Sequence, residues 1–171
     1  MNYSTSFNLK IEEPWIWEGL KPPDDPLNEL SDLEIGLRLF CFEWNHRISL
    51  EVGDAKKDIF LDPDIVLVIE ELPNKIAQLS KGKKVNIDFP ESYLILELVP
   101  LENTIDCHIR NFGYSTEQKS FPLNKSQVLE VLTNFVTELI NKAVAGGYIK
   151  ATEGEEFLQP IYQNRILPQN I

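Results

Sequence analysis

Residues 85–111 read VNIDFPESYLILELVPLENTIDCHIRN, and apolar side chains fall on every second position in three successive runs. Val85, Ile87 and Phe89 make the first run; Leu94, Leu96 and Leu98 the second; Ile105, Cys107 and Ile109 the third. Strict alternation marks strands with one buried face. The breaks at Pro90-Glu91-Ser92 and at Pro100 to Asn103 are rich in turn residues and too short for a crossover helix, so the strands form an antiparallel meander. Asp106, His108 and Arg110 then face away from the core.

On the amino-terminal side of this meander the period changes. Ile65, Val68, Ile69, Leu72, Ile76 and Leu79 follow helical spacing and predict one buried stripe. Asp62 is placed as its N-cap, Pro63 at the first helical position and Asp64 against the dipole. Pro73 is expected to kink this helix, and Gly82 to end it. Before it lie a short strand at Lys57 to Leu61 and an alternating strand at Ile48, Leu50 and Val52. The run from Ile35 to Trp44 is apolar at both parities and reads as a strand covered on both faces. Phe7, Leu9 and Ile11 give a first, half-buried strand.

On the carboxyl-terminal side, Phe112-Gly113 and a polar loop lead to a second helix. Asn124 with Gln127 is a capping-box variant, and Val128, Val131, Leu132, Phe135, Leu139 and Ala143 are the buried stripe. Gly146-Gly147 stops it, and the remainder through Phe157, Pro160 and Ile171 is expected to be an extended segment across the core. The spacing from Phe60 to Ile76 recurs from Leu123 to Leu139, 63 residues on, which suggests a strand–strand–helix duplication. The expected architecture is one α+β domain over 1–171: an antiparallel sheet with two helices packed on it in two layers. Within it, 1–34 is an acidic segment rich in proline and tryptophan, 35–149 the core and 150–171 a tail.

Bulk properties narrow the function classes. The chain has 171 residues, enough for a substantial core, and carries 27 acidic against 16 basic residues, a net charge of −11. That sign argues against nucleic-acid binding and against docking on an anionic membrane, and it favours a basic partner. No apolar run approaches the length of a membrane span, and the amino terminus lacks the pattern of a secretory signal. The two cysteines, Cys41 and Cys107, sit in apolar runs and read as free, buried thiols, which fits a cytoplasmic location.

The residues do not spell a catalytic motif, and no cofactor or metal is expected. Cys107 and His108 are strand neighbours pointing to opposite faces, and neither they nor Cys41 and His46 have zinc-ligand spacing. Gly-rich phosphate loops and a nucleophile elbow are absent from the sequence. Attention falls on the first 36 residues, where eight carboxylates against Lys10 and Lys21 leave a net −6. Trp15 and Trp17 share one side of an extended segment there, either covering an edge of the core or serving as aromatic anchors with an acidic rim. The candidate binding residues are Trp15, Trp17, Asp24, Asp25, Glu29 and, beside Phe42, Trp44.

The strand–strand–helix order, the FPESYLILEL strand pair at 89–98 and the acidic balance resemble small bacterial immunity proteins of polymorphic toxin systems, of the WapI type. The resemblance covers roughly Ile35 to Val144. It implies a non-enzymatic cytoplasmic protein that binds and neutralises a toxin, often a basic nuclease; it assigns no binding residues. The reading is therefore a protein-binding module with a basic partner. Two alternatives stand beside it: a small-ligand-binding protein or enzyme with a pocket between sheet and helices, where His46 and His108 would titrate, and a subunit of a homodimer or larger assembly.

Overall fold

The computed structural model describes residues 5–16, 21, 24–113 and 117–163. Its strands fall into two antiparallel sheets. β1 (Phe7–Pro14), β2 (His46–Val52) and β3 (Ala55–Phe60) form the first, in the order β1-β2-β3. β4 (Val85–Phe89), β5 (Leu94–Pro100), β6 (Thr104–Asn111) and β7 (Gln118–Asn124) form the second, in sequence order. The meander has the expected register: Leu96 lies between Ile87 and Ile109, and Leu98 between Val85 and Cys107. All nine of its alternating apolar side chains are buried.

The single expected sheet is thus divided. A parallel bridge from Thr5, just before β1, to Leu123 of β7 links the two sheets. Their inner faces share one cluster of buried side chains with the helices, running from Phe7 to Ile161. The α+β class stands, with helices packed against the inner faces of the strands.

β7 lies where the sequence predicts a polar loop. It is an edge strand whose side chains are mostly exposed, with only Leu123 fully buried, so hydrophobic periodicity carries no trace of it. Its pairing with β6 is a backbone property that side-chain pattern does not encode.

The run from Ile35 to Trp44 is not a strand but most of α1 (Asp32–Glu43). Ser31 and Glu34 make a reciprocal capping box: Glu34 N–H donates to Ser31 Oγ at 3.2 Å, and Ser31 N–H donates to the Glu34 carboxylate at 2.6 Å. With the start fixed, Gly36, Leu37, Phe40 and Cys41 form the buried face at helical spacing, whereas Leu39 and Phe42 stay partly exposed.

The helix placed between Asp62 and Gly82 is broken in three. A π-helical turn (Leu61–Ile65) leads into a short α2 (Val66–Val68) and then α3 (Leu72–Ser80). Pro73 lies in the first turn of α3, where its missing N–H costs no hydrogen bond, instead of kinking a longer helix. The apolar stripe from Ile65 to Leu79 is buried as expected, and Gly82 closes the helix at φ +81°. α4 (Lys125–Ala145) starts where Asn124 Oδ1 accepts from Gln127 N–H at 3.0 Å, but the reciprocal bond is missing and Gln127 Oε1 has no partner among the described residues. Against the unbroken α4, the disrupted stretch at 61–80 shows that the 63-residue correspondence extends to the buried stripes and not to the backbone.

The expected extended tail is instead α5 (Ala151–Gln163), and residues 164–171 lie outside the described ones. Lys150 N–H donates to the Glu153 carboxylate at its start, and Gly154, Leu158 and Ile161 are buried at four- and three-residue steps. Gly154 and Pro160, both poor interior helix residues, hid this pattern. Among the described residues no helix is long and apolar enough to cross a membrane.

Candidate functional site

Asp64 organises the most unusual polar site of the molecule. β3 ends at Phe60, and Asn45 then grips the next turn from both sides: Asp62 N–H donates to Asn45 Oδ1 at 3.0 Å, and Asn45 Nδ2 donates to the Asp62 carbonyl at 3.1 Å. Held this way, Asp62 is extended (φ −119°, ψ 120°) and its peptide bond to Pro63 is cis. Asp62 therefore is not the N-cap. Asp64 satisfies the strand end instead, its Oδ2 accepting from Phe60 N–H at 2.9 Å and from Ser92 Oγ at 2.8 Å. Asp64 is fully buried, and its Oδ1 meets no partner among the described residues. Burial pushes its pKa up, against the hydrogen bonds from Ser92 and Phe60, and neighbouring Glu91 adds to the rise.

Large apolar side chains lie exposed on the segments around this turn. Seven are exposed among the described residues, and five of them belong to segments that meet here: Trp15, Ile16, Leu67, Tyr93 and Phe112. Trp15 leaves β1 just past a register shift between Ile11 and Pro14; its N–H donates to the Asn45 carbonyl at 2.7 Å. Its ring packs on Phe60 with centroids 4.8 Å apart and remains 42% exposed. Tyr93, next to Ser92, has left-handed backbone (φ +51°), is 54% exposed and meets Phe112 edge-on at 5.6 Å. A large side chain held at positive φ is costly, and such strain concentrates at binding sites. Asp62, Leu67 and Glu70 line a neighbouring cleft of about 370 Å³ with Lys21 and Arg38. Burial raises both carboxylates, and Glu34 adds to the rise at Glu70.

The sequence-derived candidates divide. Trp15 is at the rim, and Trp17 lies outside the described residues. Trp44 does not extend the patch. It caps the C-terminal end of α1, and its ring is half-buried between Phe40 (5.3 Å) and His46 (3.8 Å), with the Lys142 ammonium 5.1 Å from its centre. Asp24 and Glu29 are exposed, but Asp25 is committed locally: its carboxylate accepts from the N–H groups of Glu29 and Leu30, at 3.0 and 3.3 Å. Asp64, Ser92 and Tyr93 escaped sequence reasoning. The signal was there in the FPES turn, yet only the fold brings Ser92 to Asp64 across 28 positions.

The remaining titratable groups are held structurally. Cys41 and Cys107 are buried and free; desolvation holds both thiols protonated, with Cys107 pushed up to about 12. His46 Nδ1 donates to the Glu12 carbonyl at 2.6 Å under the Trp44 ring. His108, on the outer face of the second sheet, lies 2.7 Å from Ser120 Oγ and 3.3 Å from Asp106. Among the described residues no group of three or more His, Cys, Asp or Glu is arranged to hold a metal. A gap lined by Phe7, Leu50, Ile65, Ile87, Leu96 and Phe135 between sheets and helices measures about 10 Å³, room for about one water and far below a ligand's volume.

Comparison with protein-family models, with curated proteins and with solved structures finds no match to this chain.

Proposed function

We propose that this chain is a non-enzymatic protein-binding module of immunity type, acting in the cytoplasm on a basic partner, with its contact surface at the rim around Asp64. The observation that carries the reading is the exposure of Trp15, Ile16, Leu67, Tyr93 and Phe112 on segments linked to the Asp64 turn, in a chain with net charge −11. Exposed aromatic anchors supply most of the energy of a typical interface, and a surrounding charge of one sign steers the partner. Rigidity supports the same reading: Asn45 and the buried carboxylate hold the rim in place before any partner arrives, which lowers the ordering cost of binding.

A pull-down from native lysate, run side by side with the unaltered chain and a Trp15→Ala/Tyr93→Ala variant, tests the surface. A basic protein retained by the first and lost by the second, with both chains equally folded by circular dichroism, is the expected result. Identical captured proteins would move the contact surface elsewhere.

Charge is tested separately, because rim charges act mainly on association rate. Asp24→Lys/Glu29→Lys should slow association with the captured partner roughly tenfold at low salt and much less at high salt. Asp25 is left intact because its carboxylate holds the turn at Glu29 and Leu30. A rate indifferent to these changes at low salt would remove the acidic segment from the interface.

A further inference from the structure

The starts of β3 and β7 and the end of β6 enclose a second cleft, of about 310 Å³, lined by Asp54, Lys56, Lys57, Asn111, Glu117 and Lys119 among others. Three of the chain's 16 basic residues, Lys56, Lys57 and Lys119, are among its lining residues, on a molecule that is otherwise strongly acidic. Lys57 is the anomaly. It pairs with Leu50 in the inward row of β3, between Ala55 and Ile59, both of which are buried. A lysine in an apolar row breaks the pattern that the rest of the strand obeys, and such breaks concentrate at functional sites.

The surroundings of Lys57 sharpen the point. Lys56 pairs with Glu51 at 3.5 Å, and Lys119 lies 4.0 Å from Asp54, at the limit of an ion pair. Lys57 is half-buried and makes neither an ion pair nor a side-chain hydrogen bond among the described residues. The carboxylates of Asp54 and Glu117 line the same cleft but neither is paired with Lys57, so its ammonium is free to meet an anion there.

We propose that this cleft binds a small phosphorylated polyol, with its phosphate between Lys57 and Lys119, which stand in the inward rows of β3 and β7. Ammonium groups bind phosphate as point charges, and a dianion competes readily with the loose Asp54–Lys119 pair. The other lining groups suit hydroxyls: Asp54 and Glu117 accept hydrogen bonds, and Asn111 both donates and accepts. The volume is at the lower end for ligand sites, which fits a single sugar-sized molecule. A polyanion is disfavoured, since the net charge of −11 repels an extended phosphate backbone. This cleft shares no lining residue with the Asp64 rim, and its fate does not depend on the binding-module reading.

Thermal unfolding of the full chain is the test, with inorganic phosphate, glucose 6-phosphate, glucose and ionic-strength-matched potassium chloride as separate additions. The midpoint should rise saturably with phosphate, and at roughly tenfold lower concentration with glucose 6-phosphate, whose hydroxyls add contacts. Glucose and chloride should leave it unchanged. Lys57→Met should abolish both rises while keeping a native circular dichroism spectrum; Lys57→Gln serves the same comparison if the methionine variant misfolds. A rise reproduced by chloride, or one that survives loss of Lys57, would overturn the site. Saturation by both phosphates at one concentration would overturn its hydroxyl contacts.

Discussion

Gly36→Ala should lower the thermal midpoint by roughly 10 °C, although alanine is the better helix former by about 1 kcal/mol. Gly36 lies inside α1, where intrinsic propensity alone predicts stabilisation. A Cβ at this position would sit 2.2 Å from the Tyr148 carbonyl oxygen and 2.7 Å from Ile149 Cγ2. The obstacle is backbone in the α4–α5 connection, and it is pinned. Tyr148 OH donates to the Glu43 carboxylate at 2.6 Å, and the Tyr148 ring meets Phe40 edge-on at 5.5 Å. Relief requires either α1 or that connection to move, and overpacking of this kind costs about 3 kcal/mol. For a chain of this length each kcal/mol shifts the midpoint by roughly 2–4 °C. Gly154→Ala is the control: its Cβ would meet only side-chain methyls, those of Val144 and Ile140 at 3.0 and 3.1 Å and of Ile149 at 3.8 Å, so the loss should be much smaller. An unchanged or raised midpoint for Gly36→Ala would mean that α1 does not seat against the α4–α5 connection.

The second large effect is expected at Asp64, where two substitutions should act in opposite directions. Asp64→Ala removes the acceptor for Phe60 N–H and Ser92 Oγ–H in a buried site, and should cost roughly 2–3 kcal/mol. Asp64→Asn keeps one carbonyl oxygen for both donors and abolishes the buried charge. It should match or exceed the unaltered chain at neutral pH. The pH dependence follows from the raised folded-state pKa. A carboxyl whose pKa rises on folding contributes its full stability below the unfolded value, about 3.9, and loses it as pH climbs through the folded value. Asp62 and Glu70, also raised by burial, have the same sign; Glu13 and Glu97, lowered by Arg47 and Lys84, have the opposite one. Denaturant unfolding of the unaltered chain and of Asp64→Asn across pH 4 to 8 therefore isolates Asp64 in the difference between the curves. Stability of the variant should gain on that of the parent as pH rises. Parallel curves, or a variant that loses ground with pH, would show that Asp64 is not desolvated in the folded state.

Much of the fold was legible because period-two and period-3.6 patterns are local. The meander at 85–109, the strands at Phe7 and Ile48, and the stripes of α3 and α4 each follow from side-chain spacing alone. The failures also have local causes. Between Ile35 and Trp44 apolar residues occupy both parities, so a strand and a helix score alike until Ser31 and Glu34 are recognised as a capping box. At α5, Gly154 and Pro160 spoke against a helix whose buried face lies at Gly154, Leu158 and Ile161. The binding candidates fared less evenly. Exposure kept Trp15 at the rim, whereas a carboxylate such as Asp25 reveals nothing in sequence about whether a backbone N–H has already claimed it.

By itself the sequence determined the α+β class, the antiparallel meander, the buried thiols and the acidic field, because composition and periodicity sum over many residues and tolerate local error. Tertiary structure alone decided the division into two sheets, the seating of Gly36 against Tyr148 and the meeting of Asp64 with Ser92. Each of these is a contact between segments far apart in the chain. Its free energy depends on where the backbone places two groups, and no pattern within either segment carries that information.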